Sequence, residues 1–327
     1  MGYVGAGSPP PPAVEVVRSG IVESVHRAHV AVVDPDGQLT HFAGDPWVRS
    51  YPRSTLKPVL AAAMVELGFQ PADAEQAALA ASSHSGEDFH VAGVESMLDH
   101  FGLTPGALRN TPDWPFDEQA RVAWIAAGNS KSSVAANCSG KHTAMLATCL
   151  ANDWPLEGYL DPEHPLRGAL ADAVSQATGC DPDDVGVDGC GAAVWAVPLT
   201  GLARAFAALT AADEGSPGRI IADGMRAAPE FVGGTRREST ALMRSFPGMV
   251  AKDGADGVYG ATLPDGRGVA IKIEDGAGRA RPAAIGGVCL QLGLDADALA
   301  PIVAWEPVSG GGVPVGEMRP VVQLSEA

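Results

Sequence analysis

Two residues that together could perform acyl-transfer chemistry stand three positions apart in Ser54-Thr55-Leu56-Lys57. Side chains at positions i and i+3 of a helix share a face, so Lys57 can approach the Ser54 hydroxyl where a helix begins. A lysine with a lowered pKa can take the proton of a serine hydroxyl, which makes that serine a nucleophile. The alternative is an N-capping serine followed by a solvated lysine. A pattern this short leaves both interpretations open, a nucleophile at Ser54 with a base at Lys57 or a helix cap with a surface lysine, and the accompanying motifs favour the first.

The composition is that of a folded globular protein that uses lysine sparingly. Hydrophobic residues make up 46% of the 327 residues and charged residues 19%. Because arginine carries most of the positive charge and cannot lose its proton, each retained lysine is a candidate for a role that needs a neutral amine. The five lysines are Lys57, Lys131, Lys141, Lys252 and Lys272.

The charge balance restricts the partners and the compartment. A formal net charge of −17 repels phosphate backbones and anionic membrane surfaces, so we expect neither nucleic acid nor membrane as a partner. No apolar stretch approaches the roughly 20 residues of a membrane span. Five cysteines at irregular spacing do not suggest a disulfide scaffold. The start, MGYVGAGSPPPP, lacks the pattern of a signal peptide. We expect a cytoplasmic protein with a flexible tail over residues 1–13.

The distribution of local patterns predicts the fold class. Residues 14–33 and 39–42 have strand character around a Pro35-Asp36-Gly37 turn, and strand character returns near the C-terminus. Alanine-rich helical patterns fill the middle of the chain. Strands at both ends predict an α+β fold, in which helices flank one antiparallel sheet formed from the N- and C-terminal strands. We expect a single catalytic domain over residues 14–327 with a helical middle region.

Several element boundaries matter for the site. A helix is expected over residues 55–67, with Ser54 as its N-cap and Pro58 in its first turn, where a missing N–H costs nothing. Another helix should begin near Ser139. Further expectations are strands over residues 249–252, 258–262 and 269–274 and a loop at Ser309-Gly310-Gly311-Gly312.

Further motifs accompany the serine–lysine pair in a fixed order. They are Arg18 to His26 (RSGIVESVH), Arg53 to Pro58 (RSTLKP), Ala81 to Glu87 (ASSHSGE), Asn137 to His142 (NCSGKH), Asp188 to Gly191 (DGCG) and Val269 to Gly276 (VAIKIEDG). As a set they resemble the L-asparaginase II family of the rhizobial, thermolabile type, from about residue 14 to about residue 294. The resemblance implies a fold similar to serine β-lactamases and glutaminases, and a homodimer.

The resemblance also implies two serine–lysine pairs. Ser54 and Lys57 match the first pair of the family, and Ser83 and Lys272 match the second. The residues agree with these roles, since Ser83 lies in a loop after a helical pattern and Lys272 alternates with isoleucines along a strand. Two lysines near one hydroxyl repel each other, so one of them loses its proton more easily. The alternatives are a capping serine and an exposed lysine on an edge strand.

A zinc ion is the cofactor that the resemblance implies. Cys138, Lys141 and Cys190 match the residues that hold one zinc in the family. A thiolate at a helix start is favoured by the helix dipole and a nearby cation, and two thiolates with a neutral amine and one open position form a tetrahedral zinc site. The alternative is a set of buried structural cysteines.

The resemblance assigns the remaining site residues to the substrate. Arg53 and Asp188 match residues that help to hold substrate and order the pocket, and His142 is expected to line the same pocket. The expected reaction is hydrolysis of L-asparagine to L-aspartate and ammonia through a seryl intermediate, with a backbone oxyanion site near Ser54. The alternatives are a glutaminase, another serine acyl hydrolase on the same fold, and a binding protein without turnover.

Overall fold

The computed structural model describes residues 9–181 and 184–327. Residues 1–8 of the expected flexible tail lie outside the described residues, and the last two residues of that tail belong to β1. Within the described residues the strands are β1 (Pro12–Arg18), β2 (Ile21–Val33), β3 (Leu39–Ala43), β4 (Arg49–Ser50), β5 (Val185–Val187), β6 (Ala193–Trp195), β7 (Val197–Pro198), β8 (Val250–Asp253), β9 (Val258–Thr262), β10 (Gly268–Ile273), β11 (Val308–Gly310), β12 (Val313–Pro320) and β13 (Ser325–Glu326).

The helices are α1 (Lys57–Glu66), α2 (Ala74–Ala80), α3 (Asp88–His100), α4 (Glu118–Ala126), α5 (Ser139–Ala151), α6 (Pro165–Thr178), α7 (Leu199–Ala211), α8 (Pro217–Ala227), α9 (Pro229–Val232), α10 (Glu238–Ser245), α11 (Arg281–Gln291) and α12 (Ala296–Val303). Short 3-10 helices span Arg53–Leu56, Pro105–Ala107 and Gly278–Ala280.

The chain divides into two compact units. Unit 1 comprises Met1–Thr55, Val197–Ala208 and Ala241–Ala327, and unit 2 comprises Leu56–Ala196 and Leu209–Thr240. The single catalytic domain expected over residues 14–327 stays a prediction.

Unit 1 is built on an antiparallel sheet to which both ends of the chain contribute. Its strand order is β11-β12-β1-β2-β10-β9-β8, and β3 pairs with both β2 and β13. Strands β2 and β10, far apart in sequence, lie side by side with Ala31 opposite Ala270. The mixture of helices with a sheet from the N- and C-terminal strands confirms the predicted α+β class.

The turns of this sheet match the sequence prediction only in part. The turn at Pro35-Asp36-Gly37 is confirmed, and Gly37 has a φ of +81°. The stretch 14–33 contains a further two-residue turn at Ser19-Gly20, whose φ values of +49° and +83° are typical of a type I′ hairpin. The loop expected at Ser309 is wrong in part, because Val308–Gly310 forms β11 and pairs with β12.

Close packing fixes the positions of strands β8, β9 and β10. Strands β8 and β9 are buried along their whole length, which requires cover on both faces of the sheet. A side chain at Gly268 would overlap the Ala203 carbonyl of α7, and one at Gly260 would overlap the Phe206 ring. Helix α11 packs against β10 and β12. These contacts leave β10, which carries Lys272, little freedom to move.

Unit 2 is predominantly helical and packs around α1, α2 and α5. Helix α2 contacts α3, α5 and α8, and α1 contacts α5, α6 and α8. Helix α5 is buried from Ser139 to Cys149. A Cβ at Gly140 would lie 2.8 Å from the Leu79 carbonyl carbon, so the start of α5 lies directly against the end of α2. Among residues 9–181 and 184–327, no helix is long and apolar enough to cross a membrane.

The segment before α1 differs from the prediction. Ser54 is not an N-cap, because Arg53–Leu56 forms a 3-10 helix and α1 begins at Lys57 with Leu56 at its N-cap. Pro58 lies in the first turn, as predicted. A 3-10 helix is tighter than an α-helix and is common where an α-helix begins. Ser54 therefore has helical rather than extended backbone geometry.

Candidate functional site

A buried contact of unit 2 joins Lys57 to Ser83, two residues expected in the site. Lys57 Nζ donates hydrogen bonds to the Ser83 Oγ at 3.0 Å and to the Ser82 carbonyl oxygen at 2.6 Å. Lys57 is 2% exposed and Ser83 is 4% exposed. The contact also resolves the doubled serine of the ASSHSGE motif, because the Ser83 hydroxyl, and not that of Ser82, faces the amine.

The Ser83 loop is held at several points along its backbone. The Ser83 N–H donates to the Val232 carbonyl at 2.9 Å, and the His84 N–H donates to the Asn137 carbonyl at 3.0 Å. The ring Nε2 of His84 lies 2.8 Å from the Ser139 Oγ at the start of α5. These bonds keep the Ser83 hydroxyl in place before a substrate arrives.

The environment of Lys57 favours a neutral amine. Burial is the main cause that lowers the pKa of Lys57 below its ordinary value of 10.5, and the charge of Lys141 lowers it further. Attraction to the Cys138 and Cys190 thiols and to Asp188 acts in the opposite direction. A buried lysine with a lowered pKa that contacts a serine hydroxyl has the properties of a general base.

A second group of side chains in unit 2 surrounds Cys190. The ligand atoms of Cys138, His142 and Cys190 all lie within 4.8 Å of one another, and all three residues are buried. Lys141 Nζ lies 3.4 Å from the Cys190 Sγ. We call these four residues the cysteine cluster. Cys138 is the N-cap of α5, so Cys138 to Lys141 spans three positions and Cys138 to His142 spans four.

A hydrogen bond between the two thiols of the cluster shifts their pKa values in opposite directions. The hydrogen bond from Cys138 is the main cause that lowers the pKa of Cys190, against the effect of burial and with the help of Lys141. The same hydrogen bond, together with burial, raises the pKa of Cys138. Burial alone would lower the pKa of Lys141, but attraction to the two thiols outweighs it and raises that pKa. Cys190 is therefore the thiol of the pair that loses its proton more readily, and Lys141 is the cation beside it.

The donor set of this cluster fits a metal ion. Sulfur and imidazole donors are those that zinc prefers. His142 Nε2 is buried without a hydrogen-bond partner among the described residues, so one donor atom of the group is not otherwise used. The other ring nitrogen, Nδ1, lies 2.8 Å from the Tyr159 hydroxyl oxygen. Sequence reasoning placed His142 in the substrate pocket, although its i, i+4 spacing from Cys138 could have indicated a shared helix face.

Asp188 stands at the turn that presents Cys190. The Asp188 N–H donates to the Ala192 carbonyl at 2.9 Å, and the Gly191 N–H donates back to the Asp188 carbonyl at 2.9 Å. Gly191 has a φ of +88°, which favours glycine there. The Asp188 carboxylate accepts a hydrogen bond from the Gly189 N–H at 2.8 Å. The structure therefore places Asp188 as the residue that shapes this turn.

Three other residues expected in the site belong to unit 1. Arg53 has a φ of +52°, a strained value for a residue with a side chain, directly before Ser54. Its guanidinium forms an ion pair with the Asp256 carboxylate. Lys272 Nζ donates to the carbonyl oxygens of Asp256 at 2.6 Å and Ile273 at 2.7 Å. Burial is the main cause that lowers the pKa of Lys272, although the charge of Asp256 opposes it.

Arg53 and Lys272 line a cavity within unit 1. It has a volume of about 270 Å³, and its lining residues are His29, Val48, Arg49, Ser50, Tyr51, Arg53, Asp256, Lys272 and Glu274. The cavity offers both cationic and anionic side chains, a combination that suits a zwitterionic ligand.

His29 is a residue of this cavity that sequence reasoning missed. It lies directly opposite Lys272 in the β2–β10 register. Its Nδ1 accepts a hydrogen bond from the Asp45 N–H at 2.9 Å, so the proton of the neutral ring is on Nε2. No local pattern marks His29, because its position opposite Lys272 depends on the pairing of two distant strands.

The protein has an α+β fold in which the amine of a buried lysine contacts a serine hydroxyl, as expected of a serine hydrolase. A family model described as L-asparaginase II matches residues 14–320. The chain belongs to the L-asparaginase II family.

The chain is also similar to solved structures at low identity. It is 17% identical to Mglu in its native form, with 76% of this chain and 59% of that chain covered and a TM-score of 0.40. It is 18% identical to Mglu in its tris and glutamate form, with 90% and 64% covered and a TM-score of 0.44. It is 14% identical to EstCE1, a hydrolase with promiscuous acyltransferase activity, with 88% and 93% covered and a TM-score of 0.40. The chain thus spans less than two thirds of the length of these two Mglu structures. A comparison with curated proteins found no match.

Proposed function

We propose that this protein is an L-asparagine amidohydrolase that produces L-aspartate and ammonia. The observation that carries the proposal is the buried hydrogen bond from Lys57 to Ser83, in a chain of the L-asparaginase II family. Amide hydrolysis by acyl transfer needs an activated hydroxyl and a base that can later deliver a proton to the leaving nitrogen. Lys57 and Ser83 supply both at a distance suited to proton transfer.

The proposed reaction begins at that contact. The neutral Lys57 amine takes the proton of the Ser83 hydroxyl, and the serine oxygen attacks the side-chain amide carbon of asparagine. The C–N bond breaks as Lys57 returns the proton to the nitrogen, which leaves as ammonia. Water then attacks the acyl carbon while Lys57 accepts one of its protons. The ester C–O bond breaks as Lys57 returns that proton to the Ser83 oxygen, which releases aspartate and regenerates the serine hydroxyl.

The sequence and the structure favour different nucleophiles. Spacing from Lys57 favours Ser54, while the geometry of unit 2 favours Ser83. Rapid quenching with asparagine, followed by peptide mass spectrometry, tests the choice. An acyl adduct on the peptide with Ser83 supports the geometric assignment, and an adduct on Ser54 with none on Ser83 contradicts it.

Two residues are proposed to help hold the substrate. Arg53 and Asp188 are the residues that the family pattern assigns to substrate. The charges of the unit 1 cavity suit the ammonium and carboxylate groups that an amino acid carries. We propose that Lys272 contributes its positive charge there, while Lys57 is the base.

We also propose that the cysteine cluster holds zinc. Cys138, Lys141 and Cys190 are the set that the family pattern implies, and the donor atoms described above fit a metal. When bound, zinc would supply a fixed positive charge that organises the surrounding pocket. A matched pair of variants tests the site, because Cys190→Ser should lose zinc and Cys289→Ser, at another buried cysteine, should keep it.

One assay separates the proposed activity from its alternatives. Purified protein is incubated with asparagine, glutamine or a chromogenic β-lactam, and ammonia release or ring opening is measured. Turnover of asparagine alone supports the proposal. Faster turnover of glutamine or the lactam indicates another acyl hydrolase, and no turnover of any of them indicates a binding protein.

We further propose that the protein is a cytoplasmic homodimer. Light scattering tests the oligomeric state, and cell fractionation tests the compartment.

A further inference from the structure

One residue of the unit 1 cavity contacts both cations that the family pattern assigns to the site. The carboxylate of Asp256 forms an ion pair with the Arg53 guanidinium. The carbonyl oxygen of the same residue accepts a hydrogen bond from Lys272 Nζ at 2.6 Å. Arg53 precedes α1 and Lys272 lies on β10, so Asp256 joins two distant parts of the chain.

The backbone conformation at Asp256 allows both contacts. Asp256 has a φ of +54°, and Gly257 follows with a φ of +70°. Aspartate is one of the few residues with a side chain that adopts this left-handed region readily. In this conformation the carbonyl oxygen of Asp256 reaches Lys272 while its side chain reaches Arg53.

Tight packing holds residues 254–257, which connect β8 to β9 and which we call the 254–257 loop. A Cβ at Gly254 would lie 2.7 Å from the Pro52 carbonyl oxygen, and one at Gly257 would lie 2.6 Å from the Ile273 Cβ. The Ile273 N–H donates to the Gly257 carbonyl at 2.8 Å. The loop therefore lies directly against the segment that contains Pro52 and against the end of β10, which fixes its position.

The 254–257 loop is anchored on its inner side and exposed at the cavity. Arg281 Nη1 donates to the Gly254 carbonyl oxygen at 2.5 Å and lies 3.5 Å from an oxygen of the buried Asp253 carboxylate. The side chain of Asp256 is 65% exposed. Because an exposed ion pair contributes little to folding, removal of this carboxylate should change the orientation of Arg53 without unfolding the protein.

We infer that Asp256 is a positioning residue of the cavity, whose carboxylate orients the Arg53 guanidinium toward a bound amino acid and whose carbonyl oxygen holds the Lys272 amine. The inference rests on the proposed function, in which Arg53 helps to hold the substrate. A guanidinium presents five N–H donors in a rigid plane, so a carboxylate at one edge sets the direction of the others. Asp256 acts through Arg53 and takes no part in bond making.

Binding of L-aspartate, measured by isothermal titration calorimetry, tests the inference without turnover. Asp256→Asn keeps the size of the side chain and a tolerated left-handed φ, but it loses the charge. Its dissociation constant should rise about 10-fold, because a misplaced contact can cost up to about 100-fold and exposure weakens this pair. Asp256→Gly keeps the φ and the carbonyl oxygen, so it should show the same rise. Wild-type affinity in either variant would overturn the inference.

A double-mutant cycle tests whether Asp256 acts through Arg53. Arg53→Met removes the guanidinium, and Asp256→Asn added to it should cause no further loss of affinity, because both changes remove one contact. In asparagine hydrolysis, Asp256→Asn alone should raise KM and leave kcat nearly unchanged. Losses that multiply in the double variant would overturn the inference.

Asp265→Asn is the matched control, because Asp265 is another exposed aspartate on a hairpin of unit 1 and forms an ion pair with Arg267. It should leave aspartate binding and KM unchanged. A wild type that binds aspartate through Asp256 but does not hydrolyse asparagine would refute the proposed activity and support this inference. A wild type that hydrolyses asparagine while the Asp256 variants bind aspartate normally would overturn this inference alone. A wild type that does not bind aspartate at all would also overturn it.

Discussion

Removal of the Ser83 hydroxyl tests the central contact of the site. In Ser83→Ala, Lys57 Nζ loses its side-chain acceptor at 3.0 Å and keeps the Ser82 carbonyl at 2.6 Å. One lost hydrogen bond should cost about 0.5–1.5 kcal/mol of folding free energy. Loss of the hydroxyl that exchanges its proton with the base should lower kcat by at least about a thousandfold, or roughly 4 kcal/mol in the activation free energy. The effect on activity thus far exceeds the effect on folding.

The neighbouring serine provides a close control. The Ser82 Oγ is buried without a hydrogen-bond partner in the part of the chain that the structure describes. Ser82→Ala removes an unsatisfied polar atom and leaves the carbonyl that binds Lys57, so stability should be unchanged or slightly increased. Its kcat should equal that of the wild type.

Steady-state ammonia release and thermal unfolding are measured for both variants. Two results would contradict this prediction: a folded Ser83→Ala that retains wild-type kcat, or a Ser82→Ala that loses as much activity as Ser83→Ala. Either result would mean that the amine of Lys57 does not act through Ser83.

Three further predictions follow from the site. Activity should rise with pH through the pKa of Lys57, because only the neutral amine accepts a proton, and burial places this pKa below 10.5. The free energy of unfolding should also rise with pH between the pKa of Lys57 in the folded protein and 10.5. A kcat/KM that falls over this range would count against Lys57 as the base. Gly254→Ala should destabilise the protein by about 1–3 kcal/mol in unfolding measurements, since its Cβ would lie 2.7 Å from the Pro52 carbonyl oxygen. Gly168→Ala, whose Cβ would meet no atom within 4 Å, should leave the unfolding free energy unchanged. Asparagine should be preferred over glutamine by about 10- to 200-fold in kcat/KM, and equal values would indicate a general amidase pocket.

Local patterns predicted the elements well where a single period dominates. Strands β8, β9 and β10 lie where alternating and β-branched residues predicted them, and α5 begins at Ser139 as expected. The glycine-rich segment at Ser309 was expected to be a loop, but it forms β11 because β12 offers it a partner. Strand propensity depends on such partners more than helix propensity does, which explains the difference.

The roles of the serines illustrate the limit of local reasoning. Spacing of three residues suggested that Lys57 acts on Ser54, and no short pattern indicated the hydrogen bond that its amine makes with Ser83, 26 residues later in the chain. That contact forms because the end of α2 packs against α1 and α5, where Gly140 permits a close approach. A pattern within one helical turn carries no information about such packing.

The sequence by itself determined the chemical inventory of this protein. It set Ser54 and Lys57 at the spacing of a serine–lysine pair, which is a local property, and the resemblance of its ordered motifs to the L-asparaginase II family implied roles for Ser83, Cys138 and Cys190. Only the tertiary structure decided that Lys57 meets Ser83, that His142 joins the thiols and that His29 faces Lys272. Burial, strand pairing and close packing join residues that are distant in the chain, and these long-range contacts set the distances and pKa values on which the chemistry depends.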